Sequence, residues 1–306
     1  MRFGLRQKCV LHRHQGGFTL VELIVVMAIT GILGGMIAML IKGPVQGYVD
    51  SARRADMNDI ADIALSRITR DLRMALPNSM RVWGAIHGSG SCDGTEICYL
   101  EYLGMVAGGR YITDASSSSC FSTASMVNPG VSCLTTVGDF GSVSAVLAML
   151  STASAVVGPT AGVYNGTGIA TITSISAVAA DINVIGFSTT SFSPLSGNRF
   201  QIINTPVTYV CSPVAGGAGG TLTRYWGYSI QPVQPTTNVA SLGGVSQALL
   251  ATNVSNCSFH LSDVTEASGQ SAVLVSMPFA ITEQGTAEQV GETLSFYGAA
   301  HVANAP

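Results

Sequence analysis

Lysine is nearly missing from this sequence: besides Lys8 it occurs only at Lys42. Charged residues of all kinds make up 10%, against roughly 25% in ordinary soluble domains. A surface so poor in charge is unlike that of a cytosolic enzyme. Aromatic residues reach only 7%, yet the apolar fraction of 47% is too high for a disordered chain. Past the first 17 residues the histidines are His87, His260 and His301, and no CxxC pair occurs, which argues against a zinc site. The glycine-rich AGGAGGTL, residues 215–222, lacks the lysine of a phosphate-binding loop, and no HExxH, EF-hand or GxSxG pattern is present. We therefore expect no catalytic residues, no cofactor and no resident metal. Asp93 and Glu96 in SCDGTEIC, residues 91–98, are read as part of a solvated loop.

What charge there is lies unevenly. Arg2, Arg6, Lys8 and Arg13 occupy the first 17 residues without one acid. Beyond them, 10 basic and 17 acidic residues give a formal charge of −7. That sign offers nothing to nucleic acid, whose binding depends on neutralising phosphates. Residues 18–41, FTLVELIVVMAITGILGGMIAMLI, hold a single charge, Glu22. As a helix the run is ~36 Å long, enough for a hydrocarbon core of roughly 30 Å. The basic flank keeps the N-terminus cytoplasmic and directs the remainder across the membrane. In a secretory signal the small residues of the cleavage site follow the apolar run. Here Gly16 and Gly17 precede it, so cleavage at that point removes the basic head and keeps the anchor.

GGFTLVELIVVMAITGIL, residues 16–33, resembles the N-terminal signal of type IV prepilins and type II secretion pseudopilins. The resemblance implies cleavage between Gly17 and Phe18 by a membrane prepilin peptidase, with N-methylation of Phe18. It also implies a registry role for Glu22. A carboxylate in an apolar run needs a partner, and the family supplies one in the freed α-amino group of a neighbouring subunit's Phe18. A Glu22 that snorkels to the interface is the plain alternative.

Gly43 and Pro44 should loosen or kink the helix. From Val45 to Leu76 apolar residues at three- and four-residue steps (Met57, Ile60, Ala61, Ala64, Leu65, Ile68, Leu72, Leu76) predict an amphipathic continuation, ended by Pro77 and Asn78. Residues 80–306 read as β: RVWGAI, EICYLEYL, AVLAMLS, GIATITSIS, RFQIIN, TPVTYVC, RYWGYSI, CSFHLS and AVLVSMPFAI are short runs divided by Gly, Pro, Ser and Asn. The stretch 113–200, rich in Ser, Thr, Ala, Val and Gly, is either an inserted sheet or a set of long loops. The expected organisation is a leader at 1–17, a transmembrane helix at 18–41, its amphipathic continuation at 42–77 and a β-rich domain at 78–306. The fold class is α+β and pilin-like, a long helix packed on antiparallel sheet.

PVTYVC, the glycine-rich turn and LTRYWGY, together with the helix text SARRADMNDIADIALSRITRDLRMALPNS, resemble J-class minor pseudopilins and the minor pilins of mannose-sensitive haemagglutinin (MSHA) pili. That resemblance implies a structural subunit for pilus assembly, anchored in the inner membrane with its C-terminal domain periplasmic, and on the cell surface once assembled. Its implied partners are the lipid bilayer, the peptidase and methyltransferase, an inner-membrane assembly platform and other major and minor pilins. A tip adhesin and a type II secretion pseudopilin stand as alternatives. The adhesin reading places glycan or host-surface contact on the Ser/Thr-rich middle; Trp83, Trp226, Tyr225 and Tyr228 are read as core or cross-strand packing, with a sugar-stacking surface as the alternative.

Cys9 lies in the leader. Cys92, Cys98, Cys120, Cys133, Cys211 and Cys257 form an even set, consistent with up to three disulfides in an oxidising compartment and open to 15 pairings. We take Cys92–Cys98 and Cys120–Cys133, which close short loops, and then Cys211–Cys257. Buried free thiols are the alternative.

Overall fold

A computed structural model describes residues 17–90, 92–112, 131–138, 154–157, 160–179, 182–190, 198–265, 271–283 and 291–303. The chain divides into two units, Met1–Ala55 and Asp56–Pro306. One helix, α1 (Leu20–Arg73), runs through both and includes Pro44 without interruption. The missing donor at Pro44 therefore does not end it. In the first unit the apolar residues of α1 from Leu20 to Tyr48 are exposed, at a mean hydropathy of 2.5 in the most apolar stretch. This composition suits lipid rather than water.

In the second unit the helix buries one stripe, Met57, Ala61, Ala64, Ile68 and Leu72, which is the expected three- and four-residue periodicity. The helix stops at Arg73 rather than at Pro77. The next residues leave it to pair with a strand: Ala75 bridges Gly104, the Leu76 N–H donates to Leu103 O, and the Met105 N–H donates to Met74 O. Asn78 then turns the chain at φ 57°.

The strands in chain order are β1 (Arg81–Gly84), β2 (Gly88–Ser89), β3 (Cys98–Tyr111), β4 (Val131–Val137), β5 (Ser154–Val157), β6 (Ile169–Ala179), β7 (Ile182–Thr190), β8 (Arg199–Ser212), β9 (Thr221–Trp226), β10 (Ser246–Thr252), β11 (Val254–Cys257), β12 (His260–Thr265), β13 (Ser271–Glu283) and β14 (Glu292–Ala303). The fold is α+β with antiparallel pairing throughout the described strands, a pilin-like arrangement. Two sheets form. The larger runs β10-β9-β8-β5-β6-β7-β4-β3-β1-β2, and an added β8–β3 pairing closes its middle into a ring.

The ring exists because β3 and β8, 14 residues each, are long enough to serve two neighbourhoods. At one end Cys98–Leu103 lies against Pro206–Cys211, flanked by β1 and β9. At the other end the same strands are flanked by β4 and β5. RFQIIN and TPVTYVC, which read as separate runs, are therefore one strand. Pro206 is accommodated because the register shifts beside it, between Leu103 and Met105, where a bulge tolerates a missing donor. Within the described residues the Ser/Thr-rich stretch thus supplies an inserted set of strands, β4 to β7. AVLAMLS, residues 145–151, lies outside the described residues.

The smaller sheet centres on β13, with β14 along one edge and β12 and β11 in turn along the other. Helix stripe and both sheets meet in one core that includes Leu100, Tyr209, Val275 and Phe279. At Gly298 of β14 an added Cβ would lie 3.0 Å from Leu65 Cδ2. The absence of a side chain there lets β14 lie close against the helix.

Candidate functional site

Thr19 starts α1. The Glu22 N–H donates to Thr19 Oγ1 at 3.3 Å, and the Leu23 N–H donates to Thr19 O at 3.2 Å. Thr19-x-x-Glu22 has the spacing of a helix capping box, so Thr19 contributes to the segment beside Gly17, Phe18 and Glu22, the residues singled out from the sequence. Its signal was visible there. Glu22 also sits in the first turn, where the helix dipole favours negative charge. Gly17 and Phe18 precede the helix, and Phe18 is 81% exposed.

A prokaryotic N-terminal methylation motif covers residues 12–38. That match supports the type IV prepilin and pseudopilin family. Such an N-terminus implies processing by a prepilin peptidase and assembly with other pilins, and α1 supports membrane anchoring. No curated protein and no solved structure matches the chain.

Beyond the prepilin-type N-terminus, the second unit is fastened at several points. Disulfides join Cys92 to Cys98 and Cys211 to Cys257. The second ties β8 of the large sheet to β11 of the small one. Cys133 is also disulfide-bonded, and Cys120 lies outside the described residues. Cys98 and Cys211 face each other in register on β3 and β8, yet each bonds a different cysteine.

The Cys92–Cys98 loop holds a polar latch. The buried Glu96 carboxylate accepts from the N–H groups of Ile86, His87 and Asp93 and pairs with His87 Nδ1 at 2.7 Å. His87 Nδ1 is also 4.0 Å from Asp93 Oδ2. One ligand atom from each of His87, Asp93 and Glu96 lies within 4.8 Å of the others, a spacing that fits a cation. Glu96, however, already has a donor set supplied by the chain. The hydrogen bond to Glu96 is the main cause holding the His87 pKa above its ordinary 6.5. Burial works to raise the Glu96 pKa, but the Ile86 N–H, the His87 ring and the Asp93 and His87 N–H groups hold it below 4.5.

The signs fix a pH window. The His87 contribution is complete below pH 6.5 and is lost as pH rises through its folded pKa. The Glu96 contribution is complete above pH 4.5 and is lost as pH falls through its own. Hydrogen-exchange protection of the Ile86, His87 and Asp93 amides, corrected for intrinsic rate, is therefore expected to peak between these limits and to fall on either side. A profile flat from acid to alkaline pH would contradict the latch.

Two ion-pair networks had no sequence signal. On the helix, Asp71 accepts from Arg224 Nε at 2.9 Å and from Tyr209 Oη at 2.8 Å, fastening α1 to β8 and β9. On the far face of the large sheet, Arg81 Nε donates to the buried Glu101 at 2.8 Å, and its Nη atoms donate to the carbonyls of Gln231 and Pro232. The guanidinium lies 3.6 Å from the centre of the Tyr164 ring. Burial raises the Glu101 pKa, against the lowering effect of Arg81 and Tyr228.

The four candidate stacking aromatics divide between faces. Trp226 packs against the helix-side core, with the Arg224 guanidinium 4.6 Å from its ring centre. Tyr228 is buried in the other cluster, against which Trp83 and Tyr225 pack, and its hydroxyl bonds Thr208 and Glu101. The four do not share one stacking platform.

Proposed function

We propose that the chain is a minor pilin that helps to initiate or cap a type IV pilus of the MSHA type. It acts by assembly rather than catalysis. The observation that carries this reading is the order of the N-terminus, a basic head and methylation motif ahead of an exposed apolar helix, joined to a β domain enlarged by the inserted strands β4–β7. In this reading the peptidase cuts between Gly17 and Phe18, Phe18 is methylated, and the α-amino group so formed pairs with Glu22 of a neighbouring subunit. The bulk added by the inserted strands suits a terminal position better than repeated stacking along a shaft.

Mass spectrometry of the membrane-extracted chain is expected to find N-methyl-Phe18 at its start. Deleting the gene should lower the number of surface pili, and an unchanged number would remove the initiation role. Glu22→Val is expected to be processed normally but to be depleted from sheared filaments. Normal incorporation of that variant would remove the registry role of Glu22.

An adhesin reading draws on a cavity of about 530 Å³ where the inserted strands meet β8, lined by Thr171, Ser188, Asn204, Thr205, Tyr228 and Ser229. Retention of the purified chain on a glycan array in the absence of other pilins would favour it.

A further inference from the structure

The disulfides joining Cys92 to Cys98 and Cys211 to Cys257 are packed on one another. All four cysteines are buried, none above 2% exposure, and all belong to the core that holds the helix stripe. Cys257 sits against the loop that the shorter bond closes. Its N–H donates to Gly94 O at 3.1 Å, and its carbonyl oxygen is 3.4 Å from Cys98 Sγ and 3.9 Å from Cys92 Sγ. The loop turns Asp93, Thr95 and Ile97 outward, so an external reagent meets this end of the cluster first.

A second path between the two bonds crosses the large sheet. Cys98 of β3 stands directly opposite Cys211 of β8, at the end of an antiparallel register that is unbroken from Cys98 to Leu103. Residues so placed share one face of the sheet, with Cα atoms about 4.5–5.5 Å apart. A disulfide needs a Cα separation of roughly 4.4–6.8 Å. The bonds present span 5.7 and 6.4 Å, so the Cys98–Cys211 spacing suits a bond as well as theirs does. A one-residue slip would turn Cys211 to the opposite face. Only the native pairing of β3 with β8 brings these two sulfurs together.

We propose that Cys98 and Cys211 form a latent third bond through which the two disulfides exchange. With the 92–98 bond closed and Cys257 still a thiol, the Cys211 thiolate attacks Cys98 Sγ. The 98–211 bond forms, the 92–98 bond breaks, and the electron pair leaves on Cys92 Sγ, which takes up a proton. The Cys257 thiolate then attacks Cys211 Sγ and expels Cys98 in the same way. Both steps are redox-neutral. The 92–98 dithiol is closed again by an external disulfide, which is itself reduced to two thiols. An oxidising equivalent accepted at a loop spanning 6 residues is thereby delivered to the buried link between β8 and β11. Because the transfer needs the native register, the link between the sheets closes only after β3 and β8 have paired correctly. Nothing in this exchange depends on the chain's place in a filament.

The test uses the full-length chain in detergent, free of oxidant, with Cys9→Ala so that the N-terminal segment supplies no thiol. Cys257→Ala leaves Cys211 as a thiol beside the 92–98 bond. Burial holds thiols protonated, so the chain is equilibrated at about pH 8.5, quenched in acid, alkylated in denaturant and digested for mass spectrometry. In the monomer about half of the label is expected to have moved from Cys211 to Cys92, with a matching 98–211 cross-link, the share for two bonds of similar geometry. Cys92→Ala starts from the other side, and its label should move from Cys98 to Cys257. In urea the label should stay on Cys211 of the first variant, because an unfolded chain favours the shorter loop. Labels that stay on Cys211 and Cys98 in the folded variants, or that move equally in urea, overturn the proposal. A second arm needs no substitution among the four. Traces of glutathione open the 92–98 bond, and the freed Cys98 should then yield the 98–211 bond with Cys257 as a thiol. Reduction of both disulfides without a 98–211 bond at any time overturns the proposal as well.

Discussion

Arg81→Met is expected to lower the stability of the detergent-solubilised chain by about 3–5 kcal/mol, the range for stranding one member of a buried ion pair. Glu101 is fully buried, while the Arg81 side chain is 19% exposed and uses both its Nε and Nη donors on protein acceptors. Without the guanidinium, Glu101 keeps only the Tyr228 hydroxyl among the side-chain donors found for it. The loop at Gln231 and Pro232 loses its tether, and the ring of Tyr164 loses its cation. Urea unfolding followed through tryptophan fluorescence measures the loss. Two further results identify the cause. The deficit should narrow as pH falls, because Glu101 is already inclined to take up a proton and the protonated acid strands no charge. Arg81→Met combined with Glu101→Leu should recover much of the loss, since a well-packed apolar pair can replace a buried salt bridge. A deficit below about 1 kcal/mol for the single variant, the range of exposed pairs, would show that the pair is solvent-screened.

Cys211→Ala with Cys257→Ala is expected to remove about 4 kcal/mol, from the closure of a loop whose ends are 46 residues apart. The Cys92–Cys98 bond spans only 6, and its removal should cost about 2 kcal/mol on the same chain-entropy relation. The long link does more than close a loop. It fixes β8 to β11 across the core, and both of its cysteines are buried. Its loss should therefore raise the dependence of unfolding free energy on urea as well as lower the midpoint, because the unfolded chain becomes more expanded. Equal losses for the two double variants would show that loop length does not set the effect.

The N-terminal segment and the helix stripe were legible because their information is local. Gly17, the apolar run and Glu22 are read in order along the chain, and the stripe from Met57 to Leu72 is a 3.6-residue period. Less of the β unit could be read. The run at 199–212 looked like two strands because Pro206 interrupts it, and only the bulge opposite Leu103 and Met105 makes it one. The end of α1 was placed at Pro77, yet backbone pairing of Met74 and Leu76 with Met105 and Leu103 ends it at Arg73. Strand β14, Glu292–Ala303, was not among the runs read as strands. Its Gly-Ala-Ala stretch carries little β preference, and its place depends on β13 and Leu65.

By itself, then, the sequence determined a basic head followed by a long apolar helix, a continuation of that helix apolar on one side, and an α+β class. Each follows from the order or period of neighbouring residues. Only the tertiary structure decided which strands close into a ring, that Arg81 would find Gln231 and Pro232 some 150 residues away, and that Arg224 would meet Asp71. The reason is physical. A charge burial or a ring closure is set by the geometry of distant segments brought together in one core, and no local spacing of residues encodes that distance.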